Sequence, residues 1–161
     1  MAETNPIRPT DDEARTLAKR LIRGAKYGAL GVRDPESGGP MVSRIAVGCA
    51  PDGTPVTLIS DLSHHTKALK SDPSCSLLVG EPGPKGDPLT HPRLTVQAEA
   101  RFVRQGAADY AALRDAWLIH QPKARLYVDF ADFSFACFRP AAAYLNGGFG
   151  KAFVLTPADL T

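Results

Sequence analysis

The segment 41–76 restricts the fold of this chain more than any other stretch, because it contains two strand patterns, a tight turn and a short helix in succession. Side chains in Met41–Ala50 alternate between two faces with a period of two residues, as in a half-buried strand. The Asp-Gly turn at 51–54 predicts that Met41–Ala50 and Pro55–Ser60 pair as a hairpin. A short basic helix is predicted over His64–Ser71. The segment therefore predicts antiparallel strands with a helix inserted after them.

Similar patterns predict the other elements. A capping box at Thr10 and Glu13 predicts the start of an amphipathic helix, and a further helix is predicted from Gln105 to His120. The remaining predicted strands are Tyr27–Val32, Cys75–Gly80, Pro92–Arg104, Phe133–Phe138, Ala141–Asn146 and Lys151–Leu155. The strand–helix–strand repeat of a doubly wound parallel sheet is missing. These elements predict a mainly β fold with inserted helices, a six- or seven-stranded antiparallel barrel in one domain over residues 1–161.

Composition limits the class of partner. The net charge of +2 is too small to indicate nucleic-acid binding. No stretch approaches the roughly 20 consecutive apolar residues of a membrane span, and residues 1–14 lack the apolar region of a signal peptide. Cys49, Cys75 and Cys137 are widely spaced and odd in number, which predicts buried, reduced thiols in a cytoplasmic protein. A small molecule is therefore the expected partner.

Polar and cationic side chains gather around the start of the predicted helix His64–Ser71. They are Ser60, Ser63, His64, His65, Thr66 and Lys67. Arg44 stands in an apolar strand, where a buried arginine is rare unless it has a partner. Hydroxyls, cations and free backbone N–H groups at a helix N-terminus favour a phosphate. The alternative for Arg44 is a structural ion pair with Glu99 or Asp61.

Five pieces of the chain, taken in order, resemble the FMN-binding split-barrel proteins related to pyridoxamine 5′-phosphate oxidase, in particular the branch that includes haem-utilisation proteins. One piece is the N-terminal helix. The other four are SRIAV (43–47), LISDLSHHTKALKSDPSCSLLV (58–79), PRLTVQAEARF (92–102) and FADFSFACFRPAAAYLNGGFGKA (130–152). Together they cover nearly the whole chain. The resemblance implies a split β-barrel that forms a homodimer and binds FMN at the subunit interface.

The resemblance also implies a set of cofactor-binding residues. Arg44 matches the arginine that reaches the flavin phosphate, and the strand residues that approach the isoalloxazine ring correspond to Ile45, Ala46 and Val47. The remaining phosphate and ribityl contacts map onto Ile59, Ser60, His65, Thr66 and Lys67. The longer cofactor strand of the family maps onto Arg93 to Gln97.

Two departures from the family argue against vitamin B6 oxidation. The vitamin oxidases have a lysine where this chain has Cys49 or a neighbour, and their tryptophan- and arginine-bearing tail is replaced by GGFGKAFVL. Three functions stay open: an FMN-dependent oxidoreductase acting on a small molecule, a flavin- or haem-binding protein without turnover, and a haem-degrading enzyme. The third needs an axial ligand such as His91 or His120, and the additional C-terminal region often found in the haem-utilisation relatives is not seen here. The histidines lack the paired spacing of a zinc site, so no metal is predicted.

Overall fold

A computed structural model describes residues 4–161 as one eight-stranded sheet. Its strands are β1 (Tyr27–Arg33), β2 (Pro40–Ala46), β3 (Gly48–Cys49), β4 (Pro55–Ser60), β5 (Ser74–Val79), β6 (Arg93–Val103), β7 (Phe133–Asn146) and β8 (Ala152–Leu155). The strand order is β2-β1-β5-β6-β7-β4-β3, with β8 beside β7, and all these pairs are antiparallel. The predicted antiparallel split barrel with inserted helices is confirmed, with the two-residue β3 counted as the eighth strand. Residues 1–3, which belong to the predicted single domain, lie outside the described part.

Three α-helices accompany the sheet: α1 (Asp12–Gly24), α2 (His64–Ser71) and α3 (Tyr110–His120). Short 3₁₀ turns lie at Pro88–Thr90, Pro122–Leu126 and Pro157–Leu160. Within the described chain, no helix is both long and apolar enough to span a membrane. The predicted helix from Gln105 begins later, at Tyr110, because residues 104–109 form turns instead.

The predicted capping box of α1 is wrong. Asp11 is the N-cap, and its Oδ1 accepts a hydrogen bond from the backbone N–H of Ala14 at 2.8 Å. Thr10 is diverted to the edge of the sheet, where its hydroxyl donates to the carbonyl of Val154 at 2.9 Å. Aspartate is at least as favourable an N-cap residue as threonine, so capping by Asp11 in place of Thr10 costs the helix no stability.

The predicted hairpin of Met41–Ala50 with Pro55–Ser60 forms only at its tip. β2 pairs along its whole length with β1, and only the two residues of β3 pair with β4. The chain changes partner at Val47, whose N–H donates to the carbonyl of Lys26 at 3.0 Å. At the same place the hydroxyl of Thr57 donates to the carbonyl of Ala46 at 2.7 Å.

The long strand β7 is continuous, whereas the sequence predicted two strands interrupted at Arg139-Pro140. Its first part pairs with β4 and its last part with β8, while β6 pairs along most of its other side. The irregularity expected at the proline is a register shift between Gln97 and Ala98 on β6, opposite residues 140–142. A bulge tolerates the missing proline N–H without ending the strand.

Two apolar clusters lie on opposite sides of the sheet. The larger one fills the barrel interior between β-strands, α1 and α2. The second lies where α3 packs on β4 and the first part of β7, with Trp117 and Tyr110 5.9 and 5.6 Å from the ring of Phe135. The outer face of this half of the sheet is therefore covered by α3.

The other half of the outer face carries no helix. We call it the bare face and define it by Ala29, Gly31, Arg44, Ser76, Leu78, Thr95, Gln97, Ala142 and Tyr144. These residues are cross-strand partners in register, which places their side chains on the same side of the sheet. Their alternating neighbours, such as Leu30, Leu77 and Val96, are fully buried in the barrel interior.

Candidate functional site

The turn from β4 into α2 is held by its own hydroxyl groups. Thr66 is fully buried, and its hydroxyl donates to the carbonyl of Ser60 at 2.7 Å. The Ser60 hydroxyl donates to Asp132 at 2.5 Å and accepts from the N–H of Leu62 at 3.1 Å. Both hydroxyls already form hydrogen bonds that stabilise the turn. Their contacts with a ligand stay predictions. Ser63 occupies the N-cap position without a side-chain cap hydrogen bond.

The two histidines at the start of α2 have different surroundings. The Nδ1 of His65 lies 3.2 Å from the Ser43 hydroxyl, and its Nε2 is buried without a hydrogen-bond partner in the described chain. Burial, and to a smaller extent the neighbouring His64, lowers the pKa of His65. His64 is exposed, and its Nε2 lies 3.0 Å from Asp34. The pKa of Asp34 is lowered to about 2, first by the N–H of Glu36 and then by His64.

Arg44 lies on the bare face, and the expectation that it is buried is wrong. Its neighbours in the chain, Ser43 and Ile45, point to the interior side, so strand alternation turns Arg44 outward. The alternative of an ion pair with Glu99 or Asp61 is also wrong: Glu99 pairs with Arg139 at 2.7 Å. Asp61 pairs at 2.8 Å with the side chains of Lys70 and Arg104. Arg44 takes part in none of the ion pairs found within residues 4–161.

A cavity of about 380 Å³ surrounds the Arg44 side chain. It is lined by Tyr27, Gly28, Ala29, Val42, Ser43, Leu78, Val79, Gly80, Glu81 and Pro82. The Arg44 guanidinium lies 5.6 Å from the centre of the Tyr27 ring. The neighbouring Glu81 carboxylate, and then burial, raise the pKa of Tyr27. The site thus presents one cation, beside an aromatic ring, to a ligand.

The residues predicted to follow the flavin ring expose little of their side chains. Ile45, Val47 and Ile59 are buried in the barrel interior, and Ala46 is half-buried. The carbonyl of Val47 accepts a hydrogen bond from the Gln121 side chain at 3.0 Å. A ligand that lies along these residues therefore meets the backbone and the Ala46 methyl group, and not the side chains of Ile45, Val47 or Ile59.

The two residues predicted on β6 share the outer side of the sheet with Arg44. Gln97 is exposed near the centre of the bare face, in a wide groove of about 930 Å³. Arg93 is half-buried and donates to the carbonyl of Leu89 at 2.9 Å. Lys67, by contrast, is exposed on α2. Across the described chain, no hydrogen bond connects Arg44 to α2, so the predicted residues form two groups.

Tyr27 and Glu81 are site residues that the sequence analysis missed. Tyr27 is the diagonal neighbour of Arg44, because Ala29 pairs with Arg44 and Tyr27 with Ala46. Tyr27 could have been identified from the sequence if the predicted strand at 27–32 had been paired with Met41–Ala50. Glu81 lies in a loop and carries no such signal.

The two histidines considered as haem ligands are engaged elsewhere. The Nδ1 of His91 accepts from the N–H of Gly83 at 3.1 Å, and its Nε2 lies 2.7 Å from the carbonyl of Lys85. The Nε2 of His120 lies 2.7 Å from the carbonyl of Ala25. Both nitrogens of His91 are engaged, so this ring binds iron only if it breaks one of these contacts, whereas the contact of His120 involves Nε2 alone. No group of three His, Cys, Asp or Glu able to hold a metal ion occurs in the part of the chain that the structure describes.

The antiparallel split barrel and a match to a known protein family together define the class of this protein. Residues 15–146 match the pyridoxamine 5′-phosphate oxidase family. Since this match spans most of the sequence, the chain belongs to that family. The predicted resemblance is confirmed.

Proteins named for haem are among the similar ones. The non-canonical heme oxygenase HOZ, chloroplastic, of Arabidopsis thaliana is 38% identical over 146 residues, which are 89% of this chain and 42% of that protein. The structure of a heme binding protein from Mycobacterium smegmatis has a TM-score of 0.83 at 29% identity, covering 96% of this chain and 61% of that one. Campylobacter jejuni ChuZ is similar in fold, with a TM-score of 0.81 at 15% identity, covering 96% and 63%. The chain spans about two fifths of the length of the curated relative it matches.

Proposed function

We propose that this protein is an FMN-binding flavoprotein, and that it is an FMN-dependent oxidoreductase acting on a small molecule. The observation that carries the proposal is Arg44, which the family resemblance matches to the phosphate-binding arginine and which lies in a cavity without an ion-pair partner among residues 4–161. A cation without an acidic partner fits a terminal phosphate. The α2 group adds a second polar atom to the proposal, since the Nε2 of His65 is buried and has no hydrogen-bond partner within residues 4–161.

The protein and the cofactor have separate tasks in this proposal. Bound flavin supplies the hydride or electron chemistry. Arg44 and the α2 residues bind and orient the phosphate end, while the backbone at residues 45–47 limits access to one side of the ring. The free thiols Cys49, Cys75 and Cys137 support the proposed cytoplasmic location. Cys137 is buried, and the other two are half-buried.

The alternative is a flavin- or haem-binding protein without turnover. The names of the Arabidopsis and Mycobacterium relatives favour haem, whereas the two engaged ring nitrogens of His91 disfavour axial ligation by this residue. An absorption spectrum of the purified protein separates flavin binding from haem binding: we expect flavin bands, and a Soret band without flavin bands would contradict the proposal.

We also propose a homodimer with FMN at the interface. Support comes from the bare face, where side chains as apolar as Leu78 and Tyr144 are 42 and 45% exposed. A second copy is the commonest cover for such a surface. In this arrangement Gln97, near the centre of the bare face, contacts the cofactor from across the interface.

Replacing Arg44 tests the phosphate role. Arg44→Ala removes the charge-assisted partner of the phosphate, and such a bond is worth roughly 1.5–3 kcal/mol. We therefore expect FMN affinity to fall by about one to two orders of magnitude, while the affinity for riboflavin, which lacks the phosphate, stays nearly unchanged. Arg44→Lys recovers part of the loss, because an ammonium does not reproduce the planar fork. The measurement is a fluorescence titration of ligand-free protein with each flavin.

The matched control is Arg125→Ala, which removes an exposed arginine from the 3₁₀ turn after α3. It changes the net charge equally and is expected to leave both affinities unchanged. Equal weakening of FMN and riboflavin by Arg44→Ala would reject the phosphate role.

A further inference from the structure

Tyr27 lies against Arg44, the cation that lines the proposed phosphate cavity within residues 4–161. Its ring centre is 5.6 Å from the guanidinium carbon of Arg44, within the range of a cation–π contact. Strand pairing fixes this proximity, because the two residues are diagonal neighbours on the antiparallel strands β1 and β2. The contact is therefore a consequence of the sheet register and not of a mobile loop.

The far end of the Tyr27 side chain lies beside a closely packed segment. Tyr27, Gly80 and Glu81 line the same cavity as Arg44. Gly80 has φ +106, and a Cβ there would lie 2.6 Å from the carbonyl oxygen of Pro92, so the backbone is closely packed at this point. Downstream, the Nδ1 of His91 accepts a hydrogen bond from the N–H of Gly83 within the same loop. The phenol therefore lies beside a structured segment.

The donors of Arg44 are available to a ligand. A cation–π contact engages the charge of the guanidinium, and its N–H groups can still donate hydrogen bonds. A phosphate can therefore meet these donors without displacing Tyr27. Glu81 lines the same cavity, but it takes part in none of the ion pairs found within residues 4–161.

We propose that Tyr27 is a positioning residue that presents the Arg44 guanidinium to the phosphate of the ligand, an inference that rests on the proposed FMN function. Arginine has a long side chain whose rotamer freedom is lost when it is fixed by a ligand. The Tyr27 ring restricts that freedom before the ligand arrives. Its contribution acts through Arg44 and is therefore specific for ligands with a phosphate.

The test compares Tyr27→Leu with Tyr27→Phe. Both are made together with Glu81→Gln, because the Glu81 carboxylate lines the same cavity and competes with a phosphate for Arg44, and Glu81→Gln alone is the reference. The leucine variant loses the ring, and the phenylalanine variant keeps it. We expect FMN to bind about two- to fivefold more weakly to the leucine variant than to the phenylalanine variant, as an exposed cation–π contact predicts. Riboflavin affinity is expected to be the same for both.

The same pair of variants in an Arg44→Ala background completes the cycle. There we expect no difference between leucine and phenylalanine, because the residue that Tyr27 positions is gone. If leucine and phenylalanine bind FMN equally while Arg44→Ala weakens FMN alone, the role of Tyr27 is overturned and the FMN function stands. A parallel loss of riboflavin binding in the leucine variant also overturns it, since the ring then acts on more than the phosphate. If Arg44→Ala weakens neither flavin, both proposals fall.

Discussion

His65 shows how one side chain can make stability depend on pH. The half-buried ring faces Ser43 with Nδ1, and the buried Nε2 has no partner within residues 4–161. Burial of the ring disfavours the imidazolium and lowers the pKa of His65 below 6.5 in the folded protein. The unfolded chain therefore binds this proton more readily than the folded protein does.

The sign of the pH effect follows from linkage. The contribution of neutral His65 to stability is complete above about pH 6.5, the unfolded value, and is lost as the pH falls through that value towards the lower folded one. We expect the urea midpoint of the ligand-free protein to drop between pH 7.5 and 5.5, and to drop less in His65→Gln. Asp34, with a pKa of about 2, loses its contribution only at lower pH and does not enter this window. An identical drop in both proteins would assign the pH dependence to other groups.

At the scale of secondary-structure elements, the junction between β2 and β3 decides how α3 docks. Gly48 starts β3, and a Cβ at this position would lie 2.9 Å from Cε3 and 3.0 Å from Cζ3 of Trp117. Trp117 is 1% exposed and has no room to retreat. The absence of a side chain at Gly48 is what lets α3 lie flat on this part of the sheet.

Gly48→Ala is therefore expected to destabilise the protein by about 1–3 kcal/mol, the usual cost of overpacking a core. The matched variant is Gly24→Ala at the end of α1, where an added methyl meets no atom within 4 Å. Alanine favours the helix there, so no loss is expected. Urea unfolding of both variants measures the difference, and equal stabilities would show that α3 adjusts to the extra methyl.

The same elements show what the sequence could and could not predict. Local patterns predicted the helix His64–Ser71 with its observed bounds and placed Met41, Ser43 and Ile45 on one face of their strand. Alternation does not reveal which strand lies alongside, however, so the exchange of partner at Val47 was missed. It depends on the carbonyl of Lys26, which comes from an earlier part of the chain.

The candidate site was limited in the same way. Alternation separated Arg44 from the apolar face, but whether its own face is covered depends on where α3 packs, and α3 comes much later in the chain. The Ser60 hydroxyl was predicted to face a ligand, yet it donates to Asp132, 72 residues further on. Contacts of this range are not encoded in a local pattern, whereas the family resemblance, which uses the whole chain, predicted the fold correctly.

At the scale of the whole molecule, the outer surface of the sheet is divided into a covered and a bare half. The second apolar cluster under α3 closes one half. Small and apolar residues such as Gly31, Leu78 and Ala142 make up much of the other, which is bordered by ion pairs such as Arg139–Glu99. A partly apolar surface with a charged border resembles a protein–protein interface.

The bare face therefore gives a prediction about assembly. The 17.2 kDa chain is expected to form a dimer of twice that mass in light scattering at micromolar concentration. Tyr144→Asp places a charge opposite Thr95, within the face, and is expected to shift the protein towards monomer, because a stable interface needs about 800 Å² of well-packed surface per partner. The control is Ile119→Asp on α3, which is 84% exposed on the covered half and is expected to leave the dimer intact.

If the dimer forms through the bare face and holds FMN there, Tyr144→Asp also weakens FMN binding while the monomer keeps its unfolding midpoint. A wild-type monomer at this concentration would contradict both the dimer and the interfacial cofactor, whereas a dimer that resists Tyr144→Asp but dissociates in Ile119→Asp would move the interface to α3.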